Sequence, residues 1–201
     1  MPSFKTLFIQ NGEISFLGMR NTAMSLLPSD KSVLNNLYED LKRGKGILDD
    51  EAHLNMYLRS YGKMHKAKLD AAFKSLPEIA STFSDEIEIY DWGCGQGIAS
   101  ICLLDYLQSK NIGYKIKSIN LIDPSACATK RAEDVISCYD NSITINTVNK
   151  AFDDLAVEDF AVNSTKKLHL FSNILDVETF DLAQFTNLFQ HLFHGFNLFV
   201  C

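Results

Sequence analysis

Beyond Glu86 the chain alternates short apolar runs with stretches in which apolar residues return every three or four positions. "EIEIYD" is strand-like, and Ala99, Cys102, Leu103 and Tyr106 then fall on one helical face. "KIKSINLID" repeats the strand pattern, followed by Ala132, Val135, Ile136 and Tyr139 on the face of a second helix. "SITINTV" predicts a third strand, with a shorter helix around Asp153 to Phe160. "KLHLFSNILDV" predicts a fourth, then a helix carrying Leu182, Phe185, Leu188, Phe189, Leu192 and Phe193, and "FNLFVC" a fifth. Strands alternating with helices imply a mainly parallel sheet covered on both faces, because parallel neighbours need crossover connections.

The first 80 residues have another rhythm. In "FKTLFIQNGEISFLG" two strand-like runs flank Asn11-Gly12, which predicts a hairpin. Residues 31–43 read as a helix capped by Ser29 or Asp30 and stopped at "RGKG". "DDEAHLNMYLRSYGKMHKAKLDAAFKSL" reads as one long helix with an acidic start, closed before Pro77. The organisation expected is a hairpin and helical lead-in over 1–80 and an α/β domain over 81–201.

Bulk properties change this picture little. A chain of 201 residues with 46% hydrophobic content fits one domain with a substantial core. A net charge of −6 provides no bulk attraction to nucleic acid or anionic membrane. The cysteines at 94, 102, 127, 138 and 201 lack CxxC spacing, which argues against a disulfide framework or a zinc knuckle and for a reducing, cytoplasmic setting. No secretory leader or membrane span is legible.

The chemistry concentrates in "YDWGCGQG". Gly93, Gly95 and Gly97 stand at every second position where the first strand of the α/β region gives way to a helix. At the carboxyl end of a parallel strand, such a turn lets backbone approach a ligand and the next helix pack closely. The spacing D-x-G-x-G-x-G differs from the G-x-G-x-x-G of dinucleotide folds, and a pyrophosphate has no use for the extra anion of Asp91.

This stretch resembles the first motif of class I S-adenosylmethionine-dependent methyltransferases. The resemblance implies a Rossmann-like doubly wound sheet, S-adenosylmethionine as cofactor and S-adenosylhomocysteine as product. It implies that Asp91, Gly93, Cys94, Gly95 and Gly97 hold the methionine part, the loop residues through their backbone. Asp123, followed by Pro124, ends the second strand where the family carries a ribose-binding carboxylate, a group able to accept two hydrogen bonds. Phe152 and Asp153 of "NKAFDDL" fall at the adenine segment. Ser172, Asn173 and Asp176 of "FSNILDV" fall where the family's fourth motif faces the methyl, with Asp176 the candidate base and Asn173 facing the methyl.

Two features depart from the family. Its sheet has seven strands whereas this pattern reaches a fifth, so the chain is expected to be part of a longer protein, or the open edge to be covered by its N-terminal part, a dimer or a partner. "FSNILDV" is also not the "DPPY" or "NPPY" of enzymes that methylate exocyclic amines of nucleobases, which leaves the acceptor unidentified. A non-catalytic module of the same fold and an NAD(P)-dependent oxidoreductase are the alternatives.

Other residues have structural readings beside functional ones. Asp91 and Asp123 could cap a strand end and a helix, and Phe152 could be a core aromatic. Tyr57, Tyr61 and His65 share one face of the predicted long helix, either as a packed seam or as a cover from which Tyr57 and Tyr61 reach the cofactor carboxylate. Trp92 is expected beneath the loop, Arg59 in solvent, and "LKRGKG" as a solvated loop. Cys94 has no adjacent base to make it a nucleophile. His191 and His194 form an HxxH without a third ligand, His169 reads as a core residue, and no metal is predicted.

Overall fold

The computed structural model describes residues 2–44, 46–76, 79–161, 166–172 and 182–201. Five strands form one all-parallel sheet: β1 (Glu86–Trp92), β2 (Lys115–Ile122), β3 (Thr144–Val148), β4 (Lys166–Phe171) and β5 (Phe196–Val200). Their order is β3-β2-β1-β4-β5, so the chain reverses its winding direction between β1 and β4. This is the Rossmann-like architecture read from the sequence, and the reversal opens a crevice at the carboxyl end of β1.

The described residues of the N-terminal region hold helices and no strand: α1 (Phe4–Gln10), α2 (Phe16–Ser25), α3 (Lys31–Asp40), α4 (Glu51–Ser60), α5 (Gly62–Ser75) and α6 (Ile79–Ser84). The expected hairpin is therefore incorrect. Ser3 accepts from Thr6 N–H and Ser15 from Gly18 N–H, so both serines are helix caps. Asn11 ends α1 in helical geometry and Gly12, at φ +72°, is the left-handed stop that follows it. The same Asn-Gly pair serves a hairpin or a helix end; the flanking serines decided between them.

The single long helix is also corrected, since it breaks at Tyr61 between α4 and α5. Arg20 of α2 donates to the carbonyls of Leu58 and Arg59 at 3.2 and 3.3 Å, an outside partner for groups near the helix end. Gly62 lies close against Phe16, where a side chain at 62 would crowd the ring. Asp30 caps α3 through the N–H groups of Ser32 and Val33, as one of the two candidate caps.

Between the strands run α7 (Ile98–Ser109), α8 (Ala126–Tyr139) and α9 (Leu182–Leu192). The helix expected near 153–160 is instead two single 3-10 turns, Phe152–Asp154 and Val157–Asp159. Asp159 accepts from Ala156 N–H and pairs with Lys150, so its carboxylate closes a turn.

Two cores flank the sheet. One gathers Ile87, Ile89, Leu103, Leu168 and Leu170 with residues of α1, α2, α5, α7 and α8. The other is aromatic and joins Tyr90, Trp92, Phe171, Phe185 and Phe193 under α9. Trp92 thus belongs to the α9 face and not beneath the glycine loop as expected. No helix among the described residues is long and apolar enough to cross a membrane.

Candidate functional site

At the carboxyl ends of the strands lies a cavity of about 370 Å³. Its floor is the glycine loop, Gly93 to Gln96, with Ile98 and Ala99 opening α7. Asp123, Pro124, Ser125 and Ala128 form the side that follows β2, and Ala151, Phe152, Asp153 and Ser172 the side that follows β3 and β4. Tyr57 and His65 cover it from α4 and α5, with Gly44, Gly46, Ile47 and Leu48 from the preceding segment.

The loop is tied down from both sides. Cys94 N–H donates to the Ile122 carbonyl at 3.0 Å, and Gly97 N–H to the Cys94 carbonyl at 2.8 Å. Gly95 N–H donates to Asp123 Oδ2 at 2.8 Å, while Ser125 N–H donates to Asp123 Oδ1 at 2.9 Å. Each carboxylate oxygen keeps a lone pair for another donor, and the side chain is only partly shielded. Burial pushes the Asp123 carboxyl up, offset by the two backbone donors.

The glycines divide their tasks. Gly93 and Gly95 adopt φ +61° and +50°, and a side chain at 95 would meet nothing within 4 Å. Gly97 does not line the cavity. At φ +75° it faces α8, and a Cβ there would stand 2.8 Å from that of Ala132. The third glycine therefore permits helix packing, not ligand approach.

Asp91 lies beneath the loop, fully buried and off the cavity wall. Its Oδ2 accepts from the N–H and hydroxyl of Ser100 at 3.1 and 2.7 Å. Its Oδ1 has no hydrogen-bond partner among the described residues. Burial pushes the carboxyl up to about 7, against the lowering effect of Ser100. An acid so placed favours its proton until a cationic or donor group comes near.

The aromatic cover matches one predicted face despite the break at Tyr61. The Tyr57 hydroxyl lies 3.1 Å from His65 Nε2, and the two rings stack at 5.6 Å. Burial raises Tyr57 to about 12 and lowers His65, so both are neutral near pH 7. Tyr61 does not line the cavity; it packs between Tyr57 and Tyr38, at 5.2 and 6.4 Å. Phe152 does two things, lining the cavity and stacking on Trp92 at 6.2 Å.

Some expectations fall elsewhere. Asn173 and Asp176 lie outside the described residues, as does the side chain of His191. His194 is exposed. His169 is a buried, neutral core residue that accepts from Trp92 Nε1 at 3.2 Å and lies 3.1 Å from Asn197 Oδ1. Burial carries its pKa down to about 4. Arg59 is exposed, as expected. Cys94 is a buried thiol held well above its ordinary pKa by burial and by Asp91 and Asp123.

The sequence reading missed the wall formed by residue 44 and residues 46–48. Glycines and charges there suggested solvent, whereas Ser125 donates its hydroxyl to the Leu48 carbonyl at 2.5 Å and holds the segment over the cavity. It also missed the side chain of Gln96, which is buried and donates to the Leu54 carbonyl at 3.0 Å.

No family model matches the sequence, and no curated protein does. Among solved structures, the fold is similar to that of a provisionally assigned S-adenosyl-L-methionine-dependent methyltransferase from Methanococcus maripaludis, at 15% identity and a TM-score of 0.43. The match covers 85% of this chain and 63% of that one, so the chain spans less than two thirds of its neighbour's length. A likeness at this distance concerns the path of the chain and not its chemistry.

Proposed function

We propose that the cavity binds S-adenosylmethionine and that the protein transfers its methyl group to an acceptor. The observation that carries this reading is the pairing of two carboxylates with the glycine floor: Asp123 on the cavity wall and Asp91, with an unpartnered oxygen, beneath it. These acceptors fit an adenosyl amino acid. Asp123 would accept from the ribose hydroxyls while keeping its two backbone donors. Asp91 would receive the α-ammonium group, directly or through one water, and the backbone of Gly93 and Gly95 would take the rest of the amino-acid end. Phe152, Pro124 and Ala151 would flank the adenine, with Asp153 near its amine, and Ser172 would stand toward the transferred group. Tyr57 would donate to the carboxylate.

The cofactor supplies a sulfonium-activated methyl, so the chain contributes orientation, exclusion of water and proton management. Tyr57, His65, Gly44 and residues 46–48, which line the cavity, would exclude water on one side. If the acceptor is an amine or hydroxyl, a base must take its proton, and Asp176 is proposed for that step with Asn173 beside the methyl.

Calorimetric titration with S-adenosylmethionine and S-adenosylhomocysteine, with NAD as control, tests the reading. Binding of both sulfur ligands but not NAD, lost in Asp123→Ala, is expected. NAD binding, or sulfur-ligand binding indifferent to Asp123, would overturn it. Methyl transfer unimpaired in Asp176→Asn would remove Asp176 from the mechanism.

A further inference from the structure

Arg131 of α8 is 2% exposed, yet it belongs to neither core cluster and no sequence motif drew attention to it. Its Nη1 donates to Asn55 Oδ1 at 2.8 Å and to Gln96 Oε1 at 3.3 Å. Its Nη2 donates to the Glu51 carbonyl at 3.5 Å and pairs with the Glu51 carboxylate. The guanidinium lies 4.0 Å from the centre of the Phe4 ring. One side chain therefore joins α1, α4, α8 and the glycine loop, and Gln96 adds its own bond to α4 through Leu54.

We propose that Arg131 is the positioning residue that holds the α4 wall closed over the cavity. Tyr57 projects from that helix, and residues 46–48, which also line the cavity, precede it. The planar fork suits four acceptor atoms on three residues, in α4 and the glycine loop, which a lysine ammonium cannot satisfy together. The latch is also reversible: Nε has no partner among the described residues, and the Glu51 side chain is 59% exposed. Opening the wall hydrates both charges and so offsets part of what is lost, unlike the parting of an apolar seam.

This inference rests on the cofactor reading for its ligand but not for its mechanics, and the test separates the two. S-adenosylhomocysteine dissociation and amide hydrogen exchange are measured in wild type, Arg131→Met, Arg131→Lys and Glu51→Gln. In Arg131→Met the ligand is expected to leave about tenfold faster with little change in association, as when a hydrogen-bonded charge that is buried on one side loses its contacts. Ligand-free, its amides over Glu51–Ser60 should exchange faster while those of β1, β2 and β4 do not. Lysine should not restore either behaviour, and Glu51→Gln should shift both in the same direction by less.

Unchanged exchange over Glu51–Ser60, rescue by lysine, or uniform acceleration across helices and strands would overturn the latch. If wild type fails to bind the ligand, the cofactor reading fails, and the exchange comparison still decides the role of Arg131. If Arg131→Met does not fold, Glu51→Gln decides it, because the replaced carboxylate is largely solvated.

Discussion

The two faces of β1 treat buried polar groups differently. Under α9, the Tyr90 hydroxyl donates to Glu88 at 3.1 Å, Lys167 donates to the His194 carbonyl at 2.5 Å, and Trp92, His169 and Asn197 form a hydrogen-bonded row. On the opposite face Asp91 is as deeply buried, but one of its oxygens goes without a partner among the described residues. Satisfied buried polar groups specify packing, whereas the unpartnered Asp91 oxygen is the one that the proposed function assigns to a ligand. Alternation along a single strand thus separates a face of satisfied polar groups from the face that carries the proposed site.

The comparison breaks most visibly at Trp92. Trp92→Ala removes the centre of the aromatic core and the donor to His169, and should cost about 3–5 kcal/mol in denaturant unfolding. Its effect on ligand affinity should be no more than the loss of folded protein explains. A specific loss of binding in a fully folded variant would assign the α9 face to the site.

Asp91→Asn should do the reverse. The Asp91 carboxyl titrates at about 7 when folded and near 3.8 otherwise, so the native state holds its proton more tightly. Its contribution to stability is therefore most favourable below the unfolded value and falls as pH rises from about 4 to 7. The substitution should remove that pH dependence and stabilise the ligand-free protein above pH 7 by roughly 1–3 kcal/mol. Unfolding curves at pH 5 and 8 check both the sign and the size.

Gly97→Ala sets packing against ligand approach. A left-handed residue with a Cβ pressed on Ala132 should lose about 1–3 kcal/mol of stability. Gly95→Ala, with open space around the new methyl, should show mainly the backbone cost in stability and a larger drop in ligand affinity. The smallest effect is expected from Tyr57→Phe, which forfeits one hydrogen bond worth about 0.5–1.5 kcal/mol. Calorimetry should show affinity for S-adenosylhomocysteine reduced a few-fold with the thermal midpoint nearly unchanged.

The α/β half was legible because its signals are local: alternating runs set the strands, and Asp91, Asp123 and the glycines sit at strand ends. The N-terminal half was less so. Asn11-Gly12 is ambiguous until Ser3 and Ser15 are recognised as caps, and the break at Tyr61 depends on Arg20 and Phe16, residues remote in sequence. Arg131 and Gln96 were invisible for the same reason, since their partners at 51, 54 and 55 lie 42 to 80 positions away. The wall formed by residue 44 and residues 46–48 carries the composition of a solvated loop, and its tie to Ser125 is not legible in the sequence.

The central claim is that Asp91 is held unpartnered for a cationic group of the ligand. Titrating wild type and Asp91→Asn with S-adenosylhomocysteine at pH 6 and 7.5, in buffers of different ionisation enthalpy, tests it most directly. The account predicts tighter binding to wild type at the higher pH, proton release on binding at the lower one, and an affinity at least about tenfold weaker and insensitive to pH in the variant. Equal affinities for the two proteins, with no proton exchange, would contradict it.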